Sequence, residues 1–283
     1  FLSSDASSYI TGETIVVDGG YSIIWFYMST FIIGSRINPI FPDVKPSSII
    51  GINGAIELIE KKYSDFNNVT MVCSPHIFLN DFNKLKNLYK DQDIDINYLD
   101  SVGKKILSKK LNGIIIRPLS DPQHYQEIRN NFIDENIIKK NCKNYLNYSY
   151  RCYERFILNS FQTNYLNFLI KELLYEKSIN YKDLIRSLFN KNFFILKPFK
   201  ISTGFLGLMT AINNPLFNPP YYVIGIGIDD SKYENKKSRI ALRHNHLYAD
   251  FKYLKKISKT NSISEKIYFT DDNLNNKFNN LKK

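Results

Sequence analysis

KISTGFLGLMTAI (200–212), PPYYVIGIGIDD (219–230) and RHNHLYADFKYL (243–254) lie close together in this chain. In them a small-residue turn opens an apolar helix, an apolar strand runs into Gly227-Ile228-Asp229, and a histidine enters a second helix. The turn that opens a helix offers backbone N–H groups that the helix itself does not use, which suits an anion such as a phosphate. A carboxylate at a strand end can hold the polar edge of a ligand, and a nearby histidine can accept a proton. Phosphate cradle, polar anchor and base within one βα region point to transfer chemistry on a nucleotide-linked substrate.

Outward from this region, strand-like runs at 29–34, 48–53, 69–73, 112–116 and 221–228 alternate with helical stretches at 54–63, 78–90, 101–109 and 204–213. That alternation predicts an α/β fold with a Rossmann-like, mostly parallel sheet. Residues 136–190 interrupt it: 153–175 carry apolar residues at helical spacing and 183–189 a shorter run, which reads as a helical cap or lid insertion. An amphipathic helix usually packs into a core, so a static cap is favoured over a moving lid. Beyond Ile257 the chain turns Lys/Asn-rich, with one strand-like piece at 267–269, and 261–283 is expected to be a solvated basic tail. The first strand runs into Gly34-Ser35-Arg36-Ile37-Asn38, a Gly/Ser turn of the kind that forms the nucleotide corner of a doubly wound sheet.

The ordered set Ser202-Thr203-Gly204, Gly227-Ile228-Asp229, and His246 followed by Asp250 and Leu254 resembles the bacterial sialyltransferases that use CMP-sialic acid. The likeness extends more weakly to the N-terminal half. Gly34 and Ser35 match part of that family's Gly-Asn-Gly-Pro-Ser-type turn, Asn53 ends a second strand, and Ser74 stands where the family's third-strand turn has Asn. The resemblance covers about 28–260 and implies a GT-A-variant sheet. It further implies a CMP-linked sugar as donor substrate with no other cofactor, and no metal. Asn53 and Asp229 would hold base and ribose, while Gly34, Ser35, Ser74, Lys200, Ser202, Thr203 and Gly204 would line the donor. His246 would act as general base, with Asp250 four residues on to hold its tautomer and Tyr233 to assist the departing phosphate, backed by Arg239 and Arg243. The plainer alternatives are a helix N-terminus at His246 with a surface carboxylate at Asp250, and a simple N-cap at Ser202. His244 is the rival base; His76 and His124 read as loop residues.

A second resemblance covers only 1–23. FLSSDASSYITGETIVVDGGYSI is similar to the end of short-chain dehydrogenases/reductases, where Ile10-Thr11-Gly12 turns and a last strand runs into Val17-Asp18-Gly19-Gly20. No Gly-x-x-x-Gly-x-Gly loop follows a strand downstream, and the Tyr-x-x-x-Lys at Tyr233 and Lys237 lies in a Lys/Asn/Ser-rich loop without its usual serine. Residues 1–27 are therefore expected to be a reductase remnant joined at Met28. The whole opening lacks the basic start and cleavage site of a targeting segment, and 22–34 is too short and broken to span a bilayer.

Composition bounds the rest. The chain has 283 residues and a formal net charge of +11, with a pI near 9.3. Such a balance calls for anionic company: nucleotide phosphates, an acidic glycan, anionic lipid or nucleic acid. Under the transferase reading the expected contact is peripheral, with an anionic membrane, and no nucleic-acid partner is expected. Its three cysteines, Cys73, Cys142 and Cys152, show no Cys-x-x-Cys spacing, which argues a reducing, cytoplasmic setting without structural zinc. Asp93-Ile94-Asp95 has the spacing of a metal-binding pair but sits in an alternating Asp/Ile stretch. The reading these residues favour is an inverting transferase acting on a glycan or lipid-linked acceptor. Its alternatives are an NAD(P)-dependent reductase fragment, a non-catalytic basic binding module, and a pyrophosphokinase-like relative of the same sheet.

Overall fold

Strands buried on both faces need apolar side chains at every position rather than at alternate ones. Three runs of this kind, TFII, SIIGI and VTMVC, form the centre of a seven-stranded, all-parallel sheet. The computed structural model describes residues 15–18, 22–25, 28–36, 38–88, 94–118, 125–189, 197–227 and 246–282.

In chain order, β1 (Ile15–Asp18) and β2 (Ser22–Trp25) pair antiparallel as a sheet of their own. The main sheet begins with β3 (Thr30–Ile33), β4 (Ser48–Ile52), α1 (Ala55–Lys62) and β5 (Val69–Cys73). A 3-10 turn (Pro75–Ile77), α2 (Phe82–Leu88), α3 (Ile96–Ser108) and β6 (Leu111–Ile116) follow, then α4 (Tyr125–Asn130), α5 (Glu135–Lys140) and β7 (Cys142–Asn147). Three helices, α6 (Tyr150–Ser160), α7 (Tyr165–Leu174) and α8 (Tyr181–Phe189), precede α9 (Thr203–Asn213) and β8 (Tyr221–Ile224). The chain closes with α10 (His246–Ser258), α11 (Asn261–Ser264), β9 (Ile267–Phe269) and α12 (Asp272–Lys282).

Strand order is β7-β6-β5-β4-β3-β8-β9. The chain starts at β3, winds outward to β7, then returns to lay β8 against the other side of β3 in register Thr30↔Tyr221. The sheet is thus doubly wound and Rossmann-like, with its switch point between β3 and β8, where the carboxyl ends of the strands leave a crevice for ligands. Period-2 alternation divides the core. Phe31, Ile33, Ile49 and Met71 face one layer, which includes Ile56, Ile59, Val102 and Ile106 from α1 and α3. Ile32, Ile50, Ile52 and Val72 face the other, with Leu206 and Met209 of α9, Tyr253 of α10 and Phe278 of α12. Helix α9 is apolar nearly all round and buried along most of its length, and it lies on β3, β4 and β5. Gly207 permits that approach, since a Cβ there would meet Ile52 Cδ1 at 2.5 Å.

The structure departs from the sequence reading in three places. The segment 136–190 is not a purely helical cap, because its first part holds β7, the polar edge strand paired to β6. The tail expected at 261–283 is instead structured over its described residues: β9 extends the sheet beside β8, and Leu274 and Phe278 of α12 are fully buried. Helix α3 starts at Ile96, ahead of the expected 101, because the Asp95 side chain caps it by accepting the N–H of Tyr98 at 3.0 Å. Among the described residues no helix is long and apolar enough to cross a membrane.

Candidate functional site

The strand ends bring most of the sequence-predicted residues to one edge of the sheet. At the end of β3, Gly34 donates its N–H to the Ile224 carbonyl at 2.7 Å. A Cβ on Gly34 would stand 2.4 Å from the Gly225 carbonyl oxygen, so the closeness of β3 and β8 beyond the switch point requires glycine there. Ser35 follows, half-buried, beside Gly54 at the opening of α1. Gly227 closes over Arg36, which is buried and ion-paired to Asp271 ahead of α12.

The next two strand ends are tied together. Asn53 adopts the left-handed backbone region (φ 47) at the end of β4, and its Oδ1 accepts the N–H of Ser74 at 2.8 Å. Ser74 Oγ lies 2.7 Å from Nδ1 of His76, a buried histidine that the sequence reading had placed in a plain loop. Burial, together with the nearby Arg117 charge, lowers the His76 imidazole to about 3 and keeps it neutral. Cys73 beside it is a buried free thiol whose pKa burial raises, so it is inert.

The turn 200–202 is pinned at three successive positions. The Lys200 carbonyl is 3.1 Å from His246 Nδ1. The Ile201 carbonyl accepts Arg117 Nη1 at 3.2 Å and the Tyr153 hydroxyl at 3.4 Å. The Ser202 N–H donates to Asp250 Oδ1 at 2.8 Å. Ser202 Oγ in turn caps α9 by accepting the N–H of Phe205. Thr203 is buried in the first turn, and Gly204 packs so closely on Ile226 that an added Cβ would meet it at 3.0 Å. Lys200, the first residue of this turn, is itself buried. The cap and the close-packing glycine are therefore both present.

With a carbonyl as its neighbour, His246 Nδ1 must carry the proton, which leaves Nε2 as the lone-pair nitrogen. Burial lowers the ring to about 3, and the Arg117 and Lys200 charges act in the same direction, so it stays neutral across the working range of pH. Asp250 was expected to fix this tautomer; instead the Lys200 carbonyl does so, and Asp250 holds the backbone that opens α9. Nor is Asp250 a surface group. It is buried, and burial pushes its carboxyl up to about 7 against the opposing pull of the Ser202 hydrogen bonds and Arg117.

Arg117 is the site residue that sequence reasoning missed. It follows β6 directly, bonds the turn ahead of α9, and its charge acts on His76, His246 and Asp250. The available signal was an arginine ending the apolar run LNGIII. Asp229, Tyr233, Arg239, Arg243, His244 and His124 lie outside the described residues, as does Asp93 of the acidic pair, whose Asp95 is the cap of α3. Among the described residues no group of three His, Cys, Asp or Glu side chains is gathered to hold a metal ion. Comparisons with known proteins gave no matching family model, no matching curated protein and no matching solved structure.

Proposed function

We propose that this chain is an inverting, metal-independent glycosyltransferase that moves a sialic acid or related ulosonic acid from a CMP-linked donor to a glycan or lipid-linked acceptor. The observation that carries this reading is the pinned turn ahead of α9: a neutral histidine of fixed tautomer sits on the same backbone that opens a helix at the ligand edge of the sheet. The acceptor oxygen forms its bond to the anomeric carbon as the bond from that carbon to the CMP phosphate oxygen breaks, with inversion. His246 Nε2 takes the hydroxyl proton within that step, because a ring lowered to about 3 does not draw it from the free alcohol. The leaving group is a monophosphate, whose charge the opening N–H groups of α9 and the cations Lys200 and Arg117 suit. Asp250 is a positioning residue in this scheme, and Tyr233 and Asp229 keep the leaving-group and ribose roles implied by the resemblance. The reaction is assigned to the cytoplasm, at the inner face of the membrane, in keeping with the net charge of +11.

The test is CMP release from CMP-sialic acid by the full chain, with His246→Ala alongside. Release that falls at least about 100-fold in the variant, at unchanged fold, is the expected result. No release, together with no thermal protection by CMP, would refute the reading.

A further inference from the structure

Seven of the fifteen exposed large apolar side chains among the described residues fall within α7, α8 and the turn between them. On α7, Leu166, Ile170 and Leu174 recur every fourth residue and so share one stripe. Tyr181, Ile185 and Phe189 repeat the pattern on α8, and Tyr175 lies at the turn, with Phe189 85 % and Tyr175 77 % exposed. The core-facing sides of the two helices are different residues: Phe168, Leu169 and Glu172 on one, Leu184 on the other. These helices therefore carry apolar side chains on two faces, and among the described residues only one of them is packed into the core.

Cations accompany the unused stripe. Lys171, Lys182 and Arg186 each follow a stripe residue by one position, about 100° further round the helix, and Lys177 sits in the turn. All four are exposed, against Glu176 and a half-buried Asp183. A depression of about 360 Å³ lined by Asn167, Ile170, Lys171 and Tyr175 opens on this face. The face is also held in place. Glu172 is fully buried, accepts Ser178 Oγ at 2.5 Å and the Tyr248 hydroxyl of α10 at 2.6 Å, and is ion-paired to Lys252. That cluster fixes the α7–α8 turn to the helix that carries His246 and Asp250.

We propose that the outward face of α7 and α8 docks on an anionic phospholipid surface. Its apolar stripe would enter the boundary between headgroups and acyl chains, and Lys171, Lys177, Lys182 and Arg186 would lie against lipid phosphates. A stripe of large apolar residues bordered by long cationic side chains, whose stems extend along the surface while their heads reach phosphate, is the pattern of a helix lying in a membrane interface. Charge selects the occupant. A second copy of the chain would bring the same four cations against each other on molecules of net charge +11, whereas anionic lipid complements them. The inference stands apart from the transferase reading, because vesicle binding is measured without substrate.

The experiment is co-sedimentation of the full chain with vesicles of phosphatidylcholine alone and with about one-third phosphatidylglycerol. Two variants accompany it, one carrying Ile170→Ser, Leu174→Ser and Phe189→Ser and the other Lys171→Glu, Lys177→Glu and Lys182→Glu; unchanged circular dichroism establishes that both fold. Binding to the anionic vesicles only, weakened at least about 10-fold in each variant, is expected. Absence of binding, or binding that neither variant weakens, would overturn the proposal. So would a concentration-dependent dimer in analytical ultracentrifugation that the apolar variant abolishes, which would make the occupant a second copy.

Discussion

Asp250→Asn separates the shape of a buried side chain from its charge, and its effect on stability should depend on pH in a way that can be worked out. Asp250 accepts the Ser202 N–H at 2.8 Å, and burial raises its carboxyl from the ordinary 3.8 to about 7. The folded state is then the better proton binder, so the stability this group contributes is complete below the ordinary carboxylate range and is lost as pH rises through about 7. His76 and His246 act in the opposite sense. Burial and Arg117 lower each from 6.5 to about 3, so the unfolded chain binds the proton better and stability is lost as pH falls below about 6.5. From pH 8 to pH 5 the two histidines together cost about 4 kcal/mol, and Asp250 returns about 3. The wild-type chain should therefore change by only about 1 kcal/mol from these three groups.

Asparagine mimics the protonated acid: its amide oxygen can still accept the Ser202 N–H, and it carries no charge to bury. The variant keeps the histidine losses and lacks the counterweight, so its stability should differ by about 4 kcal/mol between the two pH values. Urea unfolding followed by far-UV circular dichroism at pH 5 and pH 8 reads both gaps, and contributions from other carboxylates are common to the two proteins. At pH 8 the variant should be the more stable. An unchanged gap, or a variant less stable than wild type at pH 8, would mean that Asp250 is ionised and held by Arg117, and the burial argument would fail.

Two further outcomes concern parts of the fold that position the site. Phe278→Ala should cost about 3–5 kcal/mol, because the ring is fully buried and packs edge-on against Phe269 with centroids 5.0 Å apart; a loss below about 1 kcal/mol in urea unfolding would mark α12 as dispensable. Glu172→Ala leaves Lys252 facing the core and should cost about 3–5 kcal/mol, most of it recovered by pairing Glu172→Leu with Lys252→Met. Equal thermal shifts in the single and paired variants would show that the charge pair does not set the cost.

What the sequence disclosed follows from how local each determinant is. The runs TFII, SIIGI and VTMVC could be read as central strands because burial on both faces demands uninterrupted apolarity, and that demand is met within each segment. CKNYLN gave no such signal, since an edge strand with most of its side chains exposed keeps polar residues, and its pairing to β6 is decided by a neighbour elsewhere in the chain. Helix α12 was hidden for a related reason. Only Leu274 and Phe278, four residues apart on one face, are buried there, and its Asn and Lys residues are simply the solvent side. The site divides along the same line. The Ser202 cap was visible because a small hydroxyl residue ahead of an apolar helix is a local pattern. The partner of Asp250 was not, because i,i+4 spacing describes only α10 itself, while the turn against which α10 packs supplies the N–H that the carboxylate accepts. Arg117 takes its importance from the same packing: a residue ending β6 reaches the carbonyl of Ile201, 84 positions along the chain. The backbone of 200–202 is thus where three separately encoded elements converge, and that convergence, rather than any one motif, gives the histidine its fixed tautomer.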